Sequence, residues 1–219
     1  MSPSAPDKAS SAPRDGRAAR AARTREAIVD ACIAMVEEGD LRPTAPRVAE
    51  RAGVSVRSVF QHFDDLPSLH LAVSRRIGER VSVLLVPPDT GLPLDRRLAA
   101  FVEQRAALLE TITPYRRAAH VHGPFSPEIR TAVHEASRFL RDEVAATFAP
   151  ELDGVAGGER RQVLAAVAAA ASWAVWDSLR SEQGATPDQA AAAMTRMMRA
   201  LLPDGGGAGA GQDGEGSAS

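Results

Sequence analysis

Apolar residues recur along most of this 219-residue chain at spacings of three and four, with no run of strict alternation. That pattern predicts helices throughout and no sheet. Ile28, Ala31, Met35 and Val36 define one amphipathic helix over 17–38, stopped by Gly39. Leu69, Val73, Ile77, Val81 and Leu84 make a stripe on a long helix over 66–86, capped by Asp64 or Asp65. PPDTGLP at 87–93 is a breaker run and a seam between domains. Beyond it, Leu94, Leu98, Phe101, Arg105, Leu108 and Ile112 share adjoining faces of one helix, and 114–122 reads as a separate short one. Ser126–Pro127–Glu128 opens a helix lined by Ile129, Val133, Ala136, Leu140, Val144 and Phe148. The next, 159–182, is apolar nearly all round, with Ser172 alone polar in its alanine run, so more than one of its sides must be covered. Thr186–Pro187–Asp188–Gln189 is a capping box that starts a last helix carrying Met194, Met197, Met198 and Leu201.

The most informative stretch lies between the first two long helices. Residues 44–63, TAPRVAERAGVSVRSVFQHF, read as two short helices joined by a tight turn. This unit places a helix in the DNA major groove. Thr44 is a cap for the first helix and Pro46 sits near its start. Val48, Ala49 and Ala52 form its inner face, and Gly53 supplies the permissive backbone that ends it. Val54 turns back toward the core, Ser55 caps the second helix, and Val59 and Phe63 anchor that helix from beneath. Arg57, Ser58, Gln61 and His62 are left facing outward. An ordinary helical hairpin with a solvated face would not require caps, glycine, spacing and donor-rich face all to agree.

The T-x-x-x-V-A-x-x-A-G-V-S run at 44–55 and V-F-Q-H-F at 59–63 resemble the TetR family of bacterial transcriptional regulators, over about residues 20–85. The resemblance implies an all-α protein: an N-terminal three-helix helix-turn-helix DNA-binding domain followed by a helical ligand-binding and dimerisation domain. The expected boundaries are a disordered leader at 1–16, the helix-turn-helix domain at 17–65, a connecting helix at 66–86, the ligand and dimer domain at 87–202 and a disordered tail at 203–219. DNA contacts are expected from Thr44, Arg47, Ser55, Val56, Arg57, Ser58, Phe60, Gln61 and His62. Two positions depart from the family pattern. Phe60 stands where a phosphate-binding tyrosine is usual, and Leu66 where a lysine is usual. Both changes weaken the sequence-independent part of DNA binding.

Charge adds a local feature. The net charge is −2, so any nucleic-acid footprint must be a patch. Residues 14–25 supply one, with Arg14, Arg17, Arg20, Arg23 and Arg25 against the single acid Asp15. On a helix Arg17 and Arg20 stay close to one face; as a loose arm the arginines enter the minor groove. A solvated leader is the competing reading.

The chain offers little other chemistry. No uncharged apolar stretch approaches 18 residues and the N-terminus lacks a hydrophobic signal core, so a cytoplasmic protein with no membrane partner is expected. The single Cys32 lies among apolar neighbours, as a buried structural thiol would. His120 and His122 are two apart with no third ligand nearby, so no metal is expected. Gly209, Gly211 and Gly214 spell a G-x-G-x-x-G without a strand before it or a helix after it, which excludes a dinucleotide turn. No nucleophile–base signature occurs, so neither an enzyme nor a cofactor is implied. Phe101, Arg105, Tyr115, His120, Phe125, Trp173 and Trp176 could line a cavity for an apolar small-molecule effector with an acidic group near Arg105, or simply pack a core. Two readings of function stand. One is a homodimeric regulator that binds a double-stranded DNA operator and is released by that effector. The other is a helical small-molecule-binding protein or enzyme whose helix-turn-helix is only scaffold.

Overall fold

The computed structural model describes residues 12–203, and all of their regular structure is helical. Ten α-helices follow in order: α1 (Ala12–Glu37), α2 (Ala45–Ala52), α3 (Val56–His62), α4 (Leu66–Val81), α5 (Leu94–His122), α6 (Pro127–Thr147), α7 (Ala149–Leu152), α8 (Gly157–Ala170), α9 (Trp173–Asp177) and α10 (Pro187–Leu201). The expected tail and its glycine motif, and the leader up to residue 11, lie outside the described residues.

The chain forms two compact units. The first contains residues up to Gly78 together with Arg117–Arg130. Its buried side chains include Ile28, Cys32, Met35 and Val36 of α1, Val48 and Ala49 of α2, Val59 and Phe63 around α3, and Leu69, Val73 and Ile77 of α4. α1 ends as expected, with Gly39 at φ 95° and the Asp40 N–H donating to the Met35 carbonyl at 2.9 Å. It begins at Ala12, five residues before the expected start, and every residue from Gly16 to Arg23 is exposed. Asp65, rather than Asp64, caps α4: its carboxylate accepts from the Ser68 N–H at 2.8 Å, and the Ser68 hydroxyl donates to its carbonyl at 2.8 Å. The helix ends at Val81 and a 3-10 turn, Ser82–Leu84, follows.

Residues 117–130 were expected with the second domain, but side-chain contacts tie them to the first unit. The His122 ring meets the Leu41 carbonyl at 3.0 Å and stacks on His70 with ring centres 4.3 Å apart. Ile129 is buried.

The second unit contains Glu79–Arg116 and the chain from Thr131 onward. Phe101, Val102 and Leu109 of α5, Val144 and Phe148, Leu152 of α7, Leu164 and Val167 of α8, Trp176 of α9 and Met194 and Met198 of α10 form one apolar core. Arg97 and Glu151, both buried, are ion-paired within it.

Three local expectations are corrected. The segment 94–122 is one helix that runs through Pro114. Proline removes one backbone donor, but the apolar face continues on both sides in buried Leu108, Leu109 and Ala118, and that packing outweighs the loss. The segment 159–182 is not one helix. Ala171 and Ser172 interrupt it; the Ser172 hydroxyl oxygen accepts from the Val175 N–H at 3.4 Å and starts α9. A π-turn, Ser178–Glu182, ends it. On α6, Ala136 is exposed and Val133 and Leu140 are only half-buried, so the inward stripe holds at its two ends alone. The capping box of α10 forms as expected: the Gln189 N–H donates to Thr186 Oγ1 at 3.2 Å and the Thr186 N–H to Gln189 Oε1 at 2.9 Å.

Candidate nucleic-acid interface

The turn between α2 and α3 is built by backbone chemistry. Gly53 adopts φ 67°, ψ 33°, a left-handed geometry that a side chain would strain. Its N–H and that of Val54 close onto the last turn of α2, with Val54 N–H to the Ala49 carbonyl at 2.9 Å. Ser55 then caps α3 by accepting from the Ser58 N–H at 3.1 Å. Thr44 takes the extended N-cap conformation before α2, but its hydroxyl makes no capping bond. Only its carbonyl enters the helix, accepting from the Val48 N–H at 2.9 Å. Ala52 is half-buried, so Val48 and Ala49 carry the inner face.

α3 is a seven-residue helix with one fully buried side chain, Val59. Seven residues cannot hold a helix alone. It is fixed by the Ser55 cap and by Val59 and Phe63, on which the Arg25 guanidinium rests 4.8 Å from the ring centre. Every other side chain of α3 reaches the surface: Val56, Arg57, Phe60 and Gln61 are exposed, and Ser58 and His62 half-buried. No acid occurs on this helix.

Further exposed arginines are Arg17 and Arg20 on α1, Arg42 between α1 and α2, and Arg47 on α2. Arg47 pairs with Asp40 at 2.5 Å, and Arg51 with Glu38 through bonds of 2.6 and 2.5 Å. The bond from Arg51 holds the Glu38 carboxyl below its ordinary range, and Glu38 in turn raises Arg51. These four residues, with Met35 and Glu50, line an open cavity of about 360 Å³. The hydrophobic periodicity gave Asp40 and Glu38 no role. The available signal was their charge, placed seven and thirteen residues before the two arginines.

The structure separates the seven residues considered for a ligand cavity. His120 and Phe125 belong to the first unit; both are exposed, Phe125 at 86%. The other five lie in the second. Arg105 is buried, stacks 4.7 Å over Phe101 and donates to Glu143 at 3.1 Å. Desolvation lowers it to about 10, opposed by the Glu143 charge. The acidic partner expected of a ligand is therefore already supplied by the chain. Trp176 is fully buried and donates to Glu110 Oε1 at 2.7 Å, an oxygen that also accepts from Arg180 at 2.8 Å. Trp173 is half-buried, donates to the Thr113 hydroxyl at 3.2 Å and lies 5.3 Å under the Arg116 guanidinium. Tyr115 is half-buried.

No protein-family model and no curated protein matches the sequence. Solved structures do resemble the fold. A transcriptional regulator from Rhodococcus sp. Rha1 aligns with a TM-score of 0.62 at 20% identity, over 83% of this chain and 95% of that one. A protein from Mesorhizobium loti MAFF303099 assigned to the TetR family gives 0.62 at 17% identity, over 83% and 96%. A TetR-family transcriptional regulator from Streptomyces coelicolor gives 0.64 at 16% identity, over 81% and 78%. The chain thus has the all-helical fold of TetR-family regulators, as its sequence resemblance implied.

Proposed function

We propose that this protein is a sequence-specific DNA-binding regulator of the TetR type, acting as a homodimer. The observation that carries this reading is α3: a helix held from beneath, with a donor-rich, acid-free outer face and a helix-turn-helix geometry completed by Gly53 and Ser55. Scaffold needs none of that outward chemistry. Arg57 and Gln61 are the candidates for base edges, with Ser58 and His62 beside them. Thr44, Arg47 and Ser55 are placed for the backbone, where Arg47 would exchange Asp40 for a phosphate. Arg14, Arg17 and Arg20 add sequence-independent attraction that offsets Phe60 and Leu66.

The dimer reading rests on α8–α10. The stretch Gly157–Glu182 is long and apolar enough, by composition, to cross a membrane, yet only 28% of its most apolar window is buried in one protomer. Ala165 and Ala169 of α8 and Ala192 of α10 are exposed small residues that allow close helix approach. A partner copy covering this surface makes a two-headed protein, and reading one face of DNA requires the two heads about 34 Å apart, one helical turn. As a repressor, the protein would leave its operator when a largely apolar small molecule bound the second unit and altered that spacing.

Selection of duplexes from a random pool by the full-length protein tests the reading. Enrichment of a two-fold symmetric sequence, protected in a footprint, is expected. Failure to enrich any sequence would leave the helix-turn-helix as scaffold and favour the small-molecule-binding alternative.

A further inference from the structure

Two of the exposed large hydrophobic side chains lie on α3: Val56, 39% exposed, and Phe60, 50% exposed. They are four residues apart and share one side of the helix, beside Arg57 and Gln61. Apolar surface held in water on a short, otherwise polar helix is unfavourable until a partner covers it. The helix itself suits a polyanion: Arg57 is exposed on it and no acid occurs along it, the nearest following acids, Asp64 and Asp65, lying beyond its C-terminal end. The Phe60 ring carries no hydrogen-bonding group, so it cannot take over a tyrosine's phosphate contact. The apolar group on base edges in the major groove is the thymine C5-methyl.

We propose that Val56 and Phe60 read thymine methyl groups, so that the position lacking a phosphate donor instead determines sequence preference. The proposal rests on α3 being the major-groove helix. Four residues of α-helix rise about 6 Å, and successive base pairs are about 3.4 Å apart along a strand. Each half-site therefore carries thymines about two base steps apart.

Deoxyuridine substitution tests this, because it deletes the methyl and nothing else. The probe is a duplex enriched from a random pool by the full-length protein, with each thymine replaced in turn. One or two replacements per half-site should raise Kd about fourfold each, the effect of one buried carbon. Phe60→Ala should weaken binding to the thymine duplex and add nothing on the duplex already lacking the matching methyl. Phe60→Leu should retain most of the affinity, and Arg57→Ala should stay sensitive to the methyl.

Unchanged Kd at every deoxyuridine position overturns the proposal while leaving DNA binding intact. So does an equal loss for Phe60→Ala on both duplexes, which would mark the ring as a wedge or an internal support. A pool that yields no enriched sequence removes the major-groove reading and this proposal together.

Discussion

Arg57 sits at the second position of α3, exposed, where a guanidinium can reach the N7 and O6 acceptors of guanine. Arg57→Ala should cost about 1–3 kcal/mol on the selected sequence and relax preference at one base pair. Footprint titrations on matched and mismatched duplexes read both effects; unchanged specific binding would remove Arg57 from the readers. His70 makes a different prediction. Burial pushes its imidazole down to about 4, with His122 adding to the effect. Its Nε2 is buried without a hydrogen-bond partner. The unfolded imidazole titrates at about 6.5, so between those pH values the unfolded chain binds the extra proton. Stability is therefore full above about pH 6.5 and falls as pH drops toward 4, by up to roughly 3 kcal/mol. His70→Phe keeps a ring against His122 and removes the titration. Urea unfolding at pH 7 and pH 5 should show a smaller loss in the variant than in the parent.

At the scale of elements, α7 has four residues and no intrinsic stability. It is held by buried Phe148 and Leu152 and by the Arg97–Glu151 pair, which ties it to the first turn of α5. Removing one member leaves the other charged and buried. Glu151→Ala should destabilise by about 3–5 kcal/mol, whereas the double change Arg97→Met, Glu151→Leu should recover most of that. Chemical denaturation of the three proteins decides it; equal stability of parent and Glu151→Ala would mean the pair is dispensable. On α1 the buried stripe begins at Ile28, well after the arginine run. Deleting residues 1–20 should leave the thermal transition in place. It should also make DNA binding less salt-dependent by about 0.9 in log–log slope for each arginine that neutralises a phosphate. Equal slopes for full-length and truncated protein would make the run a solvated end of the helix.

At the scale of the molecule, two neighbouring alanines of α8 separate folding from assembly. Ala170 is buried within the protomer and Ala169 is exposed. Ala170→Glu should unfold the second unit, since an unpaired buried charge costs several kcal/mol. Ala169→Glu should keep its helical spectrum and become monomeric by light scattering. A folded, dimeric Ala169→Glu would move the interface off this face of α8.

The residues themselves determined the local features. Periodicity marked the helices, and Gly39, Gly53, Ser55, Ser126 and the Thr186 box marked where they stop and start, because capping and left-handed glycine are chemistry within a few residues. The helix-turn-helix was legible for the same reason: its cap, turn and two anchors lie within twenty residues. Other features depended on partners distant in sequence. Continuity through Pro114 was settled by buried neighbours on both sides. The fate of Arg105 was settled by Glu143, thirty-eight residues away. His122 joined the first unit through Leu41 and His70, eighty-one and fifty-two residues before it. Arg47, expected at DNA from its position in the motif, is held by Asp40, seven residues before it. A linear pattern states which side chains prefer water, but not which charge or ring will meet another once the chain has closed, and that the tertiary structure alone decided.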